Sequence, residues 1–292
     1  MANTRELRRR IKSVKNTAQI TKAMQMVSAT KMRRAQNQAL SGRPYTSTLA
    51  NVLNTVSGRV DPANHPLLLS HSSTKSGVLL VSTDKGLAGA LNTNLFRLIQ
   101  SPTLLNGKKQ EDISFYTVGK KGRDFIVRTG RNLTADFENP EKINFSEAKR
   151  IRKVLLDAFF KQEVGEVYLL YPDFISTLRQ EPKLVKILPI DVGTMLGEKE
   201  KVSSFNSAEM VFEPSPGMVL DYALTHHIDT QIYQALVETR ASEHSARMIA
   251  MQNATNNALD LVEDLQLTYN QVRQSAITTE LLEITSASAA LE

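Results

Sequence analysis

The run Ala258-Leu-Asp-Leu-Val-Glu-Asp-Leu-Gln-Leu-Thr-Tyr-Asn-Gln-Val-Arg-Gln-Ser-Ala276 decides the architecture. In it Ala258, Val262, Leu265, Tyr269, Val272 and Ala276 recur in alternating steps of four and three. That spacing puts them on one stripe of a helix and reads as a coiled-coil seam. Leu281 and Ile284 extend the apolar face. A second seam opens the chain, with Leu7, Ile11, Val14 and Ala18 continued in a shifted frame by Ile20, Met24 and Val27. All 13 Gly and all 10 Pro of the 292 residues fall between Gly42 and Gly217, so both ends lack the two strongest helix breakers. At 1.5 Å per residue the C-terminal helix would span roughly 110 Å if unbroken, so it is expected to extend beyond any compact domain of this size. Two seams at two ends predict an antiparallel pair of helices, and small seam residues such as Ala18, Ala258 and Ala276 let the axes approach closely.

Between the ends, strands and helices alternate. Gly77 to Ser82 reads as a buried strand, Ala90 to Gln100 as a helix and Ile113 to Val118 as a strand. A helix over 146–163 follows, with Ser146 as expected N-cap and Ala148, Ile151, Val154, Leu155, Ala158 and Phe159 as its apolar stripe. Glu166 to Tyr171 and Leu184 to Ile190 read as further strands, and 192–216 as a polar connection carrying Pro214 and Pro216. The fold class is α/β: a long antiparallel coiled coil of the two termini plus a Rossmann-like domain. The expected division is 1–58 for the N-terminal helix, 74–205 for the α/β domain and 212–292 for the C-terminal helix.

Net charge is +6, unevenly distributed. Residues 1–43 hold eleven Lys and Arg against Glu6 alone, while residues 216–292 hold three Arg against ten acids. Such asymmetry suits a nucleic-acid or membrane-surface contact, two ends that pair with each other, or an acidic protein partner. There is no Cys, which excludes disulfides, thiolate metal sites and a Cys nucleophile. No stretch approaches the roughly 18 apolar residues of a membrane span, and the N-terminus lacks the pattern of a secretory signal, so a cytoplasmic location is expected.

Catalytic motifs are sparse. The loop Ser82-Thr83-Asp84-Lys85-Gly86-Leu87-Ala88-Gly89 follows a strand and precedes a helix, where α/β folds bind phosphate, but it matches neither glycine-rich phosphate motif and reads first as a tight turn. Asp84 lacks a second carboxylate at a recognisable spacing. His226, His227 and His244 contain no pair four apart that would share a metal, and no G-x-S-x-G elbow occurs. Arg5, Arg8, Arg9, Arg10, Lys12, Lys15, Lys22, Lys31, Arg33 and Arg34 form the strongest electrostatic feature. They suit either a solvated face or a phosphate-tracking stripe, although residues 1–44 contain no aromatic ring for base stacking. Other readings are a basic nucleic-acid-binding α/β protein with a coiled-coil arm and a nucleotide-dependent enzyme using the Asp84 turn.

Three stretches carry a family resemblance: Ile11 to Val27 (IKSVKNTAQITKAMQMV), Ala241 to Ala258 (ASEHSARMIAMQNATNNA) and Tyr269 to Glu280 (YNQVRQSAITTE), with the Asp84-Lys85-Gly86-Leu87 turn between them. They resemble the signatures of the gamma subunit of F-type ATP synthases, in the same order and at the same ends. Ala88 stands where many relatives have Cys, Ser28 where Ala is usual, and no Cys-bearing regulatory insertion is present. The resemblance implies a central rotor shaft turning inside three alpha and three beta subunits. Its foot would be fixed to the epsilon subunit and the membrane c-ring, on the cytoplasmic face of a bacterial plasma membrane. It implies no catalytic, cofactor-binding or metal-binding residue in this chain and no cofactor, the nucleotide chemistry belonging to alpha and beta. By the same resemblance Met24, Arg247, Arg273, Gln274, Thr278 and Glu280 contact a beta subunit, and Phe212 and Glu213 contact the c-ring and epsilon subunit.

Overall fold

A computed structural model describes residues 4–57, 65–69, 71, 73–101, 104–105, 108–140, 142–191, 213 and 215–289. The element order is α1 (Thr4–Ser57), β1 (Ser76–Val81), α2 (Leu91–Gln100), β2 (Ile113–Val118), α3 (Lys120–Arg128), β3 (Leu133–Phe137), α4 (Phe145–Phe160), β4 (Glu166–Phe174), β5 (Gln180–Leu188) and α5 (Pro216–Ala289). The two terminal helices are 54 and 74 residues long. Two compact units emerge, one from Met1–Ala29 with Arg247–Glu292 and the other from Thr30–Ala246.

The first unit is an antiparallel helical pair. Leu7 and Ala18 are buried and Ile11 and Val14 half-buried on α1. Met251, Thr255 and Val262 are buried on α5, with Ala258, Leu265, Tyr269, Val272 and Ala276 half-buried. Past Ala18 the α1 seam does not shift frame. It continues through half-buried Thr21 and Gln25 to buried Ser28, while Ile20 is 61% and Val27 57% exposed. Met24, adjacent to the seam, is half-buried. The expected continuation through Ile20 and Val27 is therefore corrected: the four-three spacing of Leu7, Ile11, Val14 and Ala18 carries on unbroken to Thr21, Gln25 and Ser28, which leaves Ile20 and Val27 off the stripe. Small polar side chains let the helices close and satisfy one another: Thr21 and Thr255 meet hydroxyl to hydroxyl at 2.7 Å, and Thr255 Oγ1 donates to Met251 O at 2.8 Å. Leu281 and Ile284 are exposed, not seam residues. With Thr21 against Thr255, each step forward on α1 is a step back on α5, so Thr4 falls opposite about residue 272 and the described part of α1 stops short of Leu281 and Ile284.

The second unit is built on a five-stranded sheet of order β3-β2-β1-β4-β5, parallel except for β5. The central strands are buried on both faces and read as near-continuous apolar runs, as parallel strands under helices must. Val78, Leu80 and Phe115 face α2 and α3, where Phe96 stacks on Phe125 at 4.1 Å. Leu79, Val81, Tyr116 and Val118 face the other way, toward Ile151, Leu155 and Phe159 of α4 and Leu220, Leu224, Ile228 and Ile232 of α5. The α1 helix continues through Gly42 and Pro44 to Ser57. Gly42 permits a close approach of α5, since a Cβ there would lie 2.8 Å from Gln234 Oε1. Ser215 accepts from Met218 N at 3.4 Å and Pro216 opens α5, the arrangement a capped helix start favours. The expected N-cap Ser146 lies inside α4, which begins one residue earlier behind Asn144. Strand β3 and helix α3 are not anticipated by the sequence patterns. The first is an edge strand alternating half-buried and exposed residues, and the second opens on Lys120-Lys121-Gly122.

At the amino end of the sheet Glu166 accepts from Lys108 at 2.5 Å, Lys186 at 2.9 Å and the Tyr168 hydroxyl at 3.2 Å. Burial alone would raise its carboxyl, but the two ammonium groups outweigh burial and hold it at about 2. His227 is pushed down to about 4 by burial and then by neighbouring His226, and is neutral at pH 7. Both folded values lie below the unfolded ones. Each contribution is therefore complete above the unfolded value and lost on acidification, for His227 from about pH 6.5 down to 4 and for Glu166 from about 4.5 down to 2. Urea midpoints measured over that range are expected to fall in two stages, with Glu166→Gln flattening only the lower one. Parallel curves for wild type and variant would refute the assignment.

Candidate functional site

In open α/β sheets ligands usually sit at the carboxyl ends of the strands. Here that edge is occupied by the chain itself. Ser82 Oγ donates to Val118 O at 3.0 Å and accepts from Gly122 N at 2.8 Å. Thr83 Oγ1 donates to Lys85 O at 2.8 Å and accepts from Asn92 Nδ2 at 2.7 Å. Asp84 Oδ1 accepts from Lys120 N at 2.9 Å, the first N–H of α3, whose own Gly119 supplies no side-chain cap. The turn is thus structural, and Asp84 serves as a helix cap borrowed from another loop.

Helix α5 passes the same edge with an unusual run of buried polar residues: Glu238, Thr239, Ser242, Glu243, His244 and Ser245. Arg240 Nη2 donates to Asn139 Oδ1 at 2.9 Å and to Pro140 O, and Asn139 Nδ2 donates to Ser82 O at 3.4 Å. Ser242 Oγ donates to Pro172 O at 3.0 Å and Ser245 Oγ to Thr177 O at 2.6 Å. Further toward the start of α5, Asp229 Oδ2 pairs with Arg152 Nη1 of α4 at 3.2 Å. Burial raises the Asp229 carboxyl, with Arg152 opposing. None of these partners was anticipated from sequence. The available signal was a helix of polar residues, Glu238 to Arg247, with no solvent-facing side left to hold them all.

The residues expected to meet partner subunits are dispersed. Arg273, Gln274, Thr278 and Glu280 are exposed along the last turns of α5, where Thr278 Oγ1 donates to Gln274 O at 2.9 Å. Arg247 is only 8% exposed. Glu213 is exposed ahead of α5, and Phe212 lies outside the described residues. Arg5, Arg8, Arg9, Lys12 and Lys15 line an open groove of about 570 Å³ on α1 together with Asn16 and Gln19. His226 contacts the Tyr45 hydroxyl at 2.5 Å, and His227 contacts Gln231 at 2.8 Å. Among the described residues no three His, Asp or Glu converge as a metal cluster, and no helix is long and apolar enough to cross a membrane.

These features define a class of protein in which the chain termini pair as an antiparallel coil and the segment between them folds as a Rossmann-like α/β domain. A family model described as ATP synthase matches residues 3–291. The ATP synthase gamma chain of Methylacidiphilum infernorum is 43% identical, covering 100% of both chains, and that of Opitutus terrae is 42% identical, covering 98% of each. Among solved structures, a chain of the Euglena gracilis mitochondrial ATP synthase OSCP/F1/c-ring assembly superposes with a TM-score of 0.67 at 20% identity, over 99% of this chain and 94% of that one. A chain of the Tetrahymena thermophila mitochondrial ATP synthase central stalk/c-ring gives 0.60 at 23% identity, over 80% and 99%. The chain belongs to the ATP synthase gamma chain family.

Proposed function

We infer that this chain is the central rotor subunit of an F-type ATP synthase. It turns within a ring of alpha and beta subunits and couples ion-driven rotation of a membrane c-ring to the cycling of their catalytic sites. The observation that carries this reading is 42 to 43% identity to gamma chains over essentially the full length. The subunit is non-catalytic: it transmits force, and its polar groups at the sheet edge are engaged with its own backbone. It sits peripherally on the cytoplasmic face of the membrane. Residues 1–58 and 212–292 supply the shaft, 74–205 the α/β domain, and the foot, including Phe212 and Glu213, meets the epsilon subunit and c-ring. The cationic face of α1 suits an acidic segment on each beta subunit in turn, and Met24 is a further beta-subunit contact on the family resemblance.

Arg273, Gln274, Thr278 and Glu280 form the upper grip on a beta subunit, supported by their exposure, with Arg247 as a further contact. A hydrogen bond from Arg to a carboxylate is worth about 1.5 to 3 kcal/mol, enough to hold a rotary dwell yet breakable each turn. Arg273→Ala with Gln274→Ala is expected to slow turnover of the assembled complex by altering the catalytic dwell. Melting of the isolated subunit stays within about 0.5 kcal/mol of wild type, because these are exposed positions. Wild-type dwells in single-molecule rotation would remove both residues from the mechanism. Co-purification with alpha and beta subunits after mild membrane washing tests the whole reading, and retention on nucleic acid with a steep salt slope would overturn it.

A further inference from the structure

Among the described residues, the polar contacts that Asp229, Arg240, Ser242 and Ser245 of α5 make with the α/β domain fall on two opposite sides of the helix. At 100° per residue, Asp229 and Arg240, eleven positions apart, point within about 20° of each other. Both hold the region of α4: Asp229 pairs with Arg152 within that helix, and Arg240 donates to Asn139 and Pro140 just ahead of it. Ser242 and Ser245 point about 140 to 200° away from Arg240. They hold Pro172 of β4 and Thr177 in the turn between β4 and β5. A helix packed only by apolar side chains can roll or slide at low cost, because such contact is non-directional. A helix fixed by directional hydrogen bonds on two opposed sides cannot roll without breaking one set. Asn139 ties the first side to the sheet itself through Ser82 O.

We propose that Arg240, with Ser242 and Ser245 opposite it, is a rotational key that locks α5 to the α/β domain, so that torque on the domain enters the shaft through α5. The residues are positioning residues, and the proposal rests on the rotor reading above. It assigns the carboxyl edge of the sheet, the usual ligand crevice of this fold, to holding the chain's own helix. The two sides act in parallel, so removing one weakens the resistance of α5 to rolling against the α/β domain.

The test uses the complete complex, with a rod on the α/β domain and angular fluctuations recorded during the ATP-waiting dwell. Ser242→Ala with Ser245→Ala, which removes both hydroxyls of its side, is expected to raise the angular variance about twofold, and Arg240→Ala, which leaves the Asp229–Arg152 pair on its side, to raise it by a smaller measurable amount. Arg240→Lys keeps the charge, but Nη2 gives both bonds and the shorter lysine side chain stops short of its position, so this variant is expected to behave like the Ala variant. Bulk ATP hydrolysis at saturating nucleotide is expected to stay at the wild-type rate, because these groups hydrogen-bond this chain's own α/β domain. If Arg240→Ala fails to assemble, the double Ser variant, which loses only two hydroxyls, decides. Unchanged variance in an assembling variant, or restoration by Lys, overturns the key. Absence of rotation in the wild-type complex would instead overturn the rotor reading.

Discussion

Asp229→Ala is expected to destabilise the isolated subunit by about 3 to 5 kcal/mol, the cost of leaving a buried charge without its partner. Asp229 is 2% exposed, and Arg152, its ion-pair partner at 3.2 Å, is also largely covered. The pair is incompletely satisfied: among the described residues, Asp229 Oδ1 and Arg152 Nε are buried without a hydrogen-bond partner. The net rise of the Asp229 carboxyl despite Arg152 has the same origin, burial outweighing the attraction. Imperfect geometry of this kind makes a buried pair a poor source of stability and a severe liability when halved. Replacing both residues, Arg152→Met with Asp229→Leu, is therefore expected to recover most of the loss and fall within about 1 to 2 kcal/mol of wild type. Urea unfolding of the single and double variants is the measurement. A single variant as stable as wild type would mean that Arg152 finds another partner or solvent, and the pair would lose its significance.

The pairing of the ends was legible in the sequence because a four-three alternation sustained over several turns suits a helix seam and little else. Legibility ended within one helix turn of Ala18. Reading seams by large apolar residues selects Ile20 and Val27, yet those lie outside while Thr21, Gln25 and Ser28 lie inside. Close helix packing favours small side chains, and a threonine whose hydroxyl is satisfied across the interface qualifies as one. The exposed Ile20, Met26 and Val27 then become apolar surface on α1. In the α/β domain, strands buried on both faces were readable as apolar runs, whereas edge strand β3 alternates and carries Thr134 and Asp136, which dilute the signal.

Candidate contact residues divided in the same way. Arg273, Gln274 and Glu280 fall off the seam by spacing and are indeed exposed, so their availability was readable from the helix alone. The key residues Arg240, Ser242 and Ser245 were not, since their acceptors, Pro140, Pro172 and Thr177, are loop and strand carbonyls about 70 to 100 residues away in the chain. No periodicity reports such pairings. Only the presence of many polar residues on a helix without an apolar stripe hinted that the fold would have to satisfy them internally.

Gly119→Ala tests how strongly that carboxyl edge depends on backbone geometry. Gly119 follows β2 with φ at +94°, and its N–H donates to Phe137 O at 3.2 Å, continuing the sheet toward β3. A Cβ placed there would lie 2.4 Å from Ser82 O. The substitution therefore combines a backbone conformation that L residues avoid with a collision against a carbonyl that cannot rotate away. Together these are expected to cost about 2 to 5 kcal/mol. Gly130→Ala supplies the comparison, because Gly130 also has positive φ, +66°, but nothing lies within 4 Å of the added carbon. It should cost only about 1 to 2 kcal/mol, the backbone contribution alone. The excess at Gly119 is the cost of displacing Ser82 O, the acceptor for Asn139, which in turn holds Arg240. Amide exchange over residues 239–246 is accordingly expected to accelerate in Gly119→Ala beyond what its global stability loss explains, and to follow global stability in Gly130→Ala. Equal stability losses in the two variants would show that the left-handed backbone, and not the close approach to Ser82, fixes the glycine at this turn.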